Sequence, residues 1–488
     1  MQVFPRRRRP ACDTPQMPVT RRWKAEAEDG WRRWDDEETA LDDYFPDLGV
    51  AWLTSSAAAE AEAEGSGYDI EWGGFLTNHL SHGVYALWQL GAPAPLVSRY
   101  RALYVARLSR LPAPLPPPPP PASAALLLGQ RREYAPLLQL YRGEVRALGV
   151  GGALAARLPR LLPGLAGAAL HGLIHCGVAA RRGQSWLVAE GLAYLHHSYL
   201  ALPPEAVGGK GVVVGGDGDA SSSTAADGSA CGLGTVEDAL ARAGPIPAVA
   251  SSGRFQRAMA GLYSDAASAT RLRAASAELV QRLGLGLGRS GAAEEAALLF
   301  DEAARLYAGS RNDYFLLHAC TAAWALRQLL PSLQPAAARA AVRDLAAATV
   351  ATCWVQGYSA TPPPARCPPS AAAAALTPAA ALVAAAAVTR ALVREGEELR
   401  NEHVYKLCAF AAERLEELAA SAGVEGEELA ATASVRCAVL LAAMQLVAAP
   451  GDFTGRGSGE RPTAAVDLGA APPGMHQLSL ELPQNGAA

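Results

Sequence analysis

The chain has 488 residues, of which 50% are hydrophobic, and this is enough to bury a sizeable core. Its net charge of −4 and its pI near 6.2 exclude a bulk electrostatic attraction to nucleic acid or to an anionic membrane. The sequence has no uninterrupted lipophilic run of about 18 residues, the length that predicts a membrane span. We therefore expect a small-molecule ligand or a protein partner, no nucleic acid and no membrane span.

Low-complexity segments divide the chain. Residues 1–35 are rich in arginine and predict a disordered basic arm, with an organelle transit segment as the alternative. Residues 40–445 read as one helical domain, and residues 450–488 as a disordered tail. Proline-rich and glycine-rich insertions interrupt the domain near 112–122 and 207–233. The 8 cysteines form no CxxC pair, which indicates reduced thiols and a cytoplasmic location.

The first clear element is a helix over residues 78–90. Apolar residues recur there at helical spacing, and Gly91-Ala92-Pro93 ends the pattern. Alanine and leucine dominate the later segments, and β-branched alternation is nearly missing. The sequence therefore predicts an all-α fold, a compact multi-helix bundle with disordered insertions and tails.

The 9 histidines are the most informative residues. His79 and His82 are three residues apart and His171 and His175 are four apart, so each pair lies on one helix face. Other polar residues on helix faces with an apolar or border character are Glu190, Tyr194, Tyr314, His318, His403 and Lys406. A buried imidazole needs a partner, since it otherwise loses its solvation.

These side chains predict a shared functional pocket, and the alternative is that each histidine is a satisfied core residue. A three-histidine iron or zinc site is chemically possible. If a metal is present, its predicted ligands are His79, His82, His175 and His318. Alternatively, the imidazoles bind and deprotonate an organic substrate directly, because the pKa of histidine falls in the working range.

Several short motifs in the same order resemble the questin oxidase-like family. They are Asn78-His79-Leu80-Ser81-His82 with Leu90-Gly91-Ala92, then Leu173-Ile174-His175-Cys176-Gly177, Ala189-Glu190-Gly191-Leu192-Ala193, His318 with Thr321, and Glu402-His403-Val404-Tyr405-Lys406. The resemblance extends from about residue 40 to 445. Family members often carry extra histidines where this chain has Thr77 and Gly83, and an acid where it has Arg181. These departures put questin itself in doubt as the substrate.

The resemblance implies an oxidoreductase of secondary metabolism. It is expected to be a monooxygenase that uses NADPH as reductant for Baeyer-Villiger-type oxygenation of a polycyclic aromatic or quinone-like substrate. It leaves open whether a bound metal or a flavin activates oxygen, and whether a helper protein takes part. A noncatalytic histidine-lined scaffold for a small ligand, haem or metal is the alternative.

The resemblance also suggests residue roles. The candidate catalytic residues are His79, His82, His175, Glu190, His318, His403 and Lys406. Among them, Glu190 would fix a histidine tautomer, and Lys406 or His403 would stabilise oxyanion charge. The candidate substrate-binding residues are Asn78, His171, Tyr194, Tyr314 and Thr321.

Overall fold

A computed structural model describes residues 67–72, 76–203, 235–251, 255–283, 291–310, 312–358, 376–394, 399–422, 427–449 and 453–454. The predicted all-α class is confirmed. The helices are α1 Leu80–Gln89, α2 Ala94–Val105, α3 Pro121–Ala124, α4 Tyr134–Leu161, α5 His171–Arg182, α6 Ser185–His197, α7 Thr235–Ala243, α8 Phe255–Ser264, α9 Ala266–Arg282, α10 Ala292–Gly309, α11 Tyr314–Leu329, α12 Pro335–Val355, α13 Pro378–Leu392, α14 Glu402–Ala422 and α15 Glu427–Ala448.

The one sheet among these residues is a two-stranded antiparallel hairpin. It pairs β1, Glu71–Trp72, with β2, Leu76–Thr77. The hairpin leads directly into α1, so it fixes the backbone just before His79. It is too small to organise the core, as the sequence predicted.

The first predicted helix is confirmed as α1. Its last turn stops at Gln89, and Gly91 follows in the left-handed region with φ of 72°, which a glycine adopts at little cost. The proline-rich segment 112–120 contains no helix or strand, and α3 begins at Pro121. The predicted arm, the glycine-rich insertion and the tail after residue 454 lie outside the described residues.

Helix packing brings together the four helices that carry the histidines. Helix α1 packs against α5 and α14, and α11 packs against α5 and α14. Their apolar faces belong to one continuous buried cluster. A buried ion pair also fixes α14, because the Arg414 guanidinium donates to both carboxylate oxygens of Asp301 on α10, at 3.1 and 2.9 Å.

Two further observations concern the cysteines and the apolar helices of the described residues. Five cysteines are described, all of them buried and none in a disulfide: Cys176, Cys320, Cys353, Cys408 and Cys437. Among the described helices, none combines the length and the apolar character that crossing a bilayer requires.

Candidate metal centre

Four imidazoles from four helices converge on one point inside the bundle. His79 immediately precedes α1, His171 begins α5, His318 lies in the second turn of α11 and His403 is the second residue of α14. One ring nitrogen from each lies within 4.8 Å of the other three, and all four side chains are buried.

The Nδ1 atom of each ring faces a hydrogen-bond acceptor. The acceptors are the Ala168 carbonyl for His171 at 2.6 Å, the Tyr314 carbonyl for His318 at 2.7 Å, Asn401 Oδ1 for His403 at 2.7 Å, and Glu402 Oε1 for His79 at 3.0 Å. Carbonyl oxygens only accept, so Nδ1 carries the proton in His171, His318 and His403, and the lone pair of each of these neutral rings lies on Nε2. The ionised carboxylate of Glu402 gives His79 the same tautomer.

The Nε2 atoms point at one another. His318 Nε2 lies 3.0 Å from His171 Nε2 and 3.2 Å from His403 Nε2, and His79 Nε2 is buried without a hydrogen-bond partner among the described residues. When every Nδ1 carries the proton, neither Nε2 atom of a close pair has a hydrogen to donate. The two nitrogen lone pairs of each pair then face each other. Two nitrogens that each lie about 2.1 Å from one metal are separated by roughly 3 to 4 Å, so a cation fits this group.

Burial keeps the four rings neutral, which is the form that binds metals. It lowers the pKa of His171 to about 3, although the hydrogen bond to Ala168 opposes the shift. Burial and the nearby Lys406 lower the pKa of His79 and His403 well below the usual value, and burial does the same for His318. The Tyr314 hydroxyl, 3.1 Å from His403 Nε2, is the nearest neutral donor to the group.

A strained turn positions the carbonyl oxygen that accepts the hydrogen bond from His171. Ala168, Ala169 and Leu170 are consecutive non-glycine residues with φ of 48°, 53° and 70°. Each costs of order 1–3 kcal/mol, and such strain persists where the surrounding structure over-determines it. Here the turn places the Ala168 carbonyl against His171 Nδ1.

Two glycines allow the close helix packing that brings the groups together. A Cβ atom on Gly177 would lie 2.5 Å from the Ala325 Cα atom, so any larger residue would push α5 away from α11. A Cβ atom on Gly191 would lie 2.7 Å from the Cys176 Cα atom, at the contact between α5 and α6. The separations between histidines therefore depend on these glycines.

A second polar group lies beside the four histidines. His82 Nε2 is 3.1 Å from His175 Nδ1, and His175 Nε2 is 3.4 Å from Glu190 Oε2. The His82 ring centroid lies 5.2 Å from that of His79, and His82 Nδ1 has no hydrogen-bond partner among the described residues. Burial lowers the pKa of His82 and raises that of Glu190. The three side chains therefore lie in a row that ends in an unused nitrogen near the group. His175 Nε2 is within ion-pair distance of Glu190 but does not form a hydrogen bond with it.

Lys406 adds a buried amine one turn after Glu402. Its side chain is fully buried, and Nζ makes no hydrogen bond within the part of the chain that the structure describes. Burial lowers the pKa of Lys406 to about 7, and the charge of Glu402 opposes the shift. Both protonation states of the amine are therefore accessible near neutral pH.

The family model for questin oxidase-like proteins matches residues 76–411, more than half of the chain. The chain belongs to the questin oxidase-like family. The family name indicates an oxidoreductase of the oxidase or oxygenase type. All four converging histidines lie inside the matched region. Nothing among the curated proteins matches the sequence.

The structure distributes the predicted site residues of this questin oxidase-like chain over two groups. His79 and His318 join His171 and His403 in the metal-fitting group. His82 and His175, also named as ligands if a metal is present, form the neighbouring chain with Glu190 instead.

The remaining predicted residues have local partners. The Tyr194 hydroxyl lies 2.7 Å from Thr77 Oγ1, and Asn78 donates to the Asp69 carbonyl at 3.2 Å. The Thr321 hydroxyl donates to the Leu317 carbonyl of its own helix at 3.3 Å.

Sequence reasoning assigned no role to Asn401, Glu402 or Ala168. The first two directly precede His403 in the chain, and a helix start is where side-chain acceptors commonly lie, so position alone could have drawn attention to them. The Ala168 carbonyl had no sequence signal, because its position depends on a left-handed turn of ordinary residues.

Proposed function

We propose that this protein is an oxygenase of a polycyclic aromatic or quinone-like compound, and that it works with a metal ion held by His79, His171, His318 and His403. The observation that carries the proposal is the convergence of four buried imidazoles, each with its Nδ1 atom at an acceptor and with one ring nitrogen within 4.8 Å of those of the other three. Imidazole suits iron, copper, nickel and zinc. A metal that activates oxygen must change oxidation state, which zinc does not do, so iron and copper are the candidates, and iron is the one tested first. When bound, it would supply electrons to molecular oxygen.

The family resemblance supports a finer reaction, the NADPH-dependent insertion of oxygen beside a carbonyl. In that reaction substrate, O2, NADPH and a proton give the ester or lactone, NADP+ and water. One oxygen atom enters the C–C bond and the other leaves as water, while NADPH supplies two electrons. Negative charge develops on the carbonyl oxygen during this insertion, and the Lys406 ammonium is the buried cation that would stabilise it.

The chain of His82, His175 and Glu190 would remove a proton from the substrate. His82 Nδ1 accepts the proton, His82 Nε2 passes its own proton to His175 Nδ1, and His175 Nε2 passes one to Glu190. One proton leaves the substrate and one arrives on the carboxylate, and both imidazoles stay neutral. The chain returns this proton when the second oxygen atom leaves as water, so the substrate loses no proton overall. The distances of 3.1 and 3.4 Å and the unused His82 Nδ1 atom support this role.

The metal and the reaction can be tested together. The purified protein is analysed for metals, reconstituted with iron(II) without oxygen, and mixed with NADPH and a hydroxyanthraquinone in air. We expect one iron per chain, and oxygen and NADPH consumption that depends on the iron. A protein that takes up no metal contradicts the proposal. Bound metal without oxygen consumption, across a panel of polycyclic quinones, favours the noncatalytic binding scaffold.

The proton chain needs a separate test. Glu190→Gln should retain iron and lower kcat by roughly 10² to 10⁴, the usual contribution of a general base. Glu190→Asp should restore part of the activity, because it returns a carboxylate. Loss of iron in Glu190→Gln would show that the chain holds the metal group in place and does not move protons.

A further inference from the structure

The four-histidine group is closed to a substrate of the proposed size. The four imidazole side chains are buried, and the largest exposure among these residues is 6%. One described cavity, of about 240 Å³, is lined by Tyr68, Arg101 and Arg110, and a second, of about 10 Å³, is lined by residues that include Tyr263 and Asp344. Neither is lined by one of the histidines. Because the described residues bury all four rings, a polycyclic compound can contact them only after one of the covering residues has moved.

A short C-terminal strip, residues 453–454, lies against the group. The Phe453 ring centroid is 5.5 Å from the Tyr314 ring and 6.1 Å from the His403 ring. Phe453 is only partly buried, so it lies between these two rings and the outside of the described structure. The geometry of both contacts is edge-on, as aromatic pairs prefer.

Backbone hydrogen bonds join the strip to the residues just before and at the start of α11. The Thr454 amide donates to the Asn312 carbonyl at 2.9 Å, and the Tyr314 amide donates to the Thr454 carbonyl at 2.9 Å. These two bonds form an isolated parallel bridge beside Asp313. The other walls of the group are the helices α1, α5, α11 and α14, which are embedded in the apolar core. Displacing a helix would expose far more apolar surface than displacing the strip.

The surface under the strip is rigid. The Asp313 carboxylate caps α11 by accepting from the amides of Phe315 and Leu316 at 2.9 and 3.1 Å, and it also accepts from Gln356 at 2.8 Å. The carboxylate is fully buried. The start of α11 can therefore keep its shape while the strip leaves.

From these contacts we infer that Phe453 is the access residue of the site. An aromatic substrate displaces the Phe453 ring and takes over its edge contacts with Tyr314 and His403. This inference rests on the proposed function, and it adds the route of entry and a preference for a planar aromatic ring. Phe453 would thus determine both how fast ligands reach the metal and which shapes are accepted.

The test measures access without needing the substrate. Iron(II)-loaded full-length protein is mixed with a chromogenic iron(II) chelator, and the rates of iron removal and of iron reloading are followed. Phe453→Ala should raise both rates roughly tenfold, which corresponds to about 1.4 kcal/mol in each barrier, and leave the iron affinity unchanged. Thr454→Pro, which removes the amide that binds Asn312, should act in the same direction. Trp88→Ala, which removes an aromatic ring that is 50% exposed, is the matched control and should change neither rate.

Two results would overturn the inference. Unchanged rates in Phe453→Ala would show that ligands enter elsewhere. Faster removal with no faster reloading would show that Phe453 stabilises the metal group and does not control access. If wild-type protein binds no iron, the proposed function fails first, so the two failures are distinguishable.

Discussion

His196 and the four-histidine group show two ways of burying imidazole in the same protein. His196 accepts from the Tyr141 hydroxyl through Nδ1 at 2.8 Å and donates to the Ala124 carbonyl through Nε2 at 2.9 Å. Both of its ring nitrogens are therefore used by the chain. In the four-histidine group each Nδ1 is held by an acceptor, while His171 Nε2 and His318 Nε2 face each other and His79 Nε2 has no hydrogen-bond partner among the described residues; only His403 Nε2 has a neutral donor nearby, the Tyr314 hydroxyl.

The difference separates a structural histidine from a functional one. Burial alone does not distinguish the two kinds of histidine, because burial lowers the pKa of His196 to about 4 and that of His171 to about 3. A ring with two satisfied nitrogens contributes to folding. A ring with one fixed and one free nitrogen is prepared for a ligand, at a cost in stability until the ligand binds.

Removing the central ligand should have the largest effect. His318 Nε2 is close to two other Nε2 atoms, so His318→Ala should weaken iron binding by at least roughly a thousandfold, about 4 kcal/mol. The measurement is a competition titration against a chelator of known affinity. Circular dichroism serves as the control for folding, and near wild-type affinity in a folded variant would remove His318 from the ligand set.

The opposite result is expected for the structural histidine. His196→Ala should lower the free energy of unfolding by about 2 to 4 kcal/mol, because it leaves the Tyr141 hydroxyl and the Ala124 carbonyl without partners. Urea denaturation of the metal-free protein measures this change, and iron affinity should remain as in wild type. If His196→Ala lost as much iron affinity as His318→Ala, His196 would not differ from the four-histidine group in the way described.

The acceptors behind the rings should have a smaller effect on metal binding. Asn401→Ala removes the acceptor of His403 Nδ1 and should reduce iron affinity by about 10- to 100-fold. Asn401→Asp retains an acceptor oxygen and is the matched control, with most of the affinity kept. Equal affinities in Asn401→Ala and wild type would mean that the ring orientation does not depend on this bond.

The pH dependence of stability should depend on His171. The His171 pKa falls from 6.5 to about 3 on folding, so the unfolded chain takes up a proton that the folded chain refuses. This contribution to stability is complete above pH 6.5 and is lost as the pH falls toward 3. For the metal-free protein, His171→Gln should flatten the slope in that window by up to about 1.4 kcal/mol per pH unit. Urea unfolding of both proteins between about pH 7 and 4 measures it, and an unchanged slope would mean that the two states protonate His171 alike.

The sequence predicted the fold class well for a local reason. The apolar spacing before Gly91 and the near absence of strand patterns depend on neighbouring residues, so α1 and the helical class could be read directly. The predicted arm 1–35 and insertion 207–233 lie outside the described residues, as does the predicted tail 450–488 apart from residues 453–454, and the disorder expected there remains a prediction.

The sequence also singled out the residues of the site, but not their grouping. Each helix brings its own histidine to a buried face, and that burial follows from helical periodicity. Whether His175 or His171 joins His318 depends on how α5 lies against α11, and this depends on the contact of Gly177 with Ala325. The four-residue spacing of His171 and His175 within α5 does not indicate which helix α5 packs against.

By itself, the amino-acid sequence determined an all-helical chain with an unusual set of inward histidines and the motifs of the questin oxidase-like family. Only the tertiary structure decided which imidazoles share a point, which of them form the chain to Glu190, and which nitrogen of each ring is free. The reason is that a tautomer is fixed by an acceptor across space. The Ala168 carbonyl, Asn401 and Glu402 become acceptors only after the turn and the helices have packed.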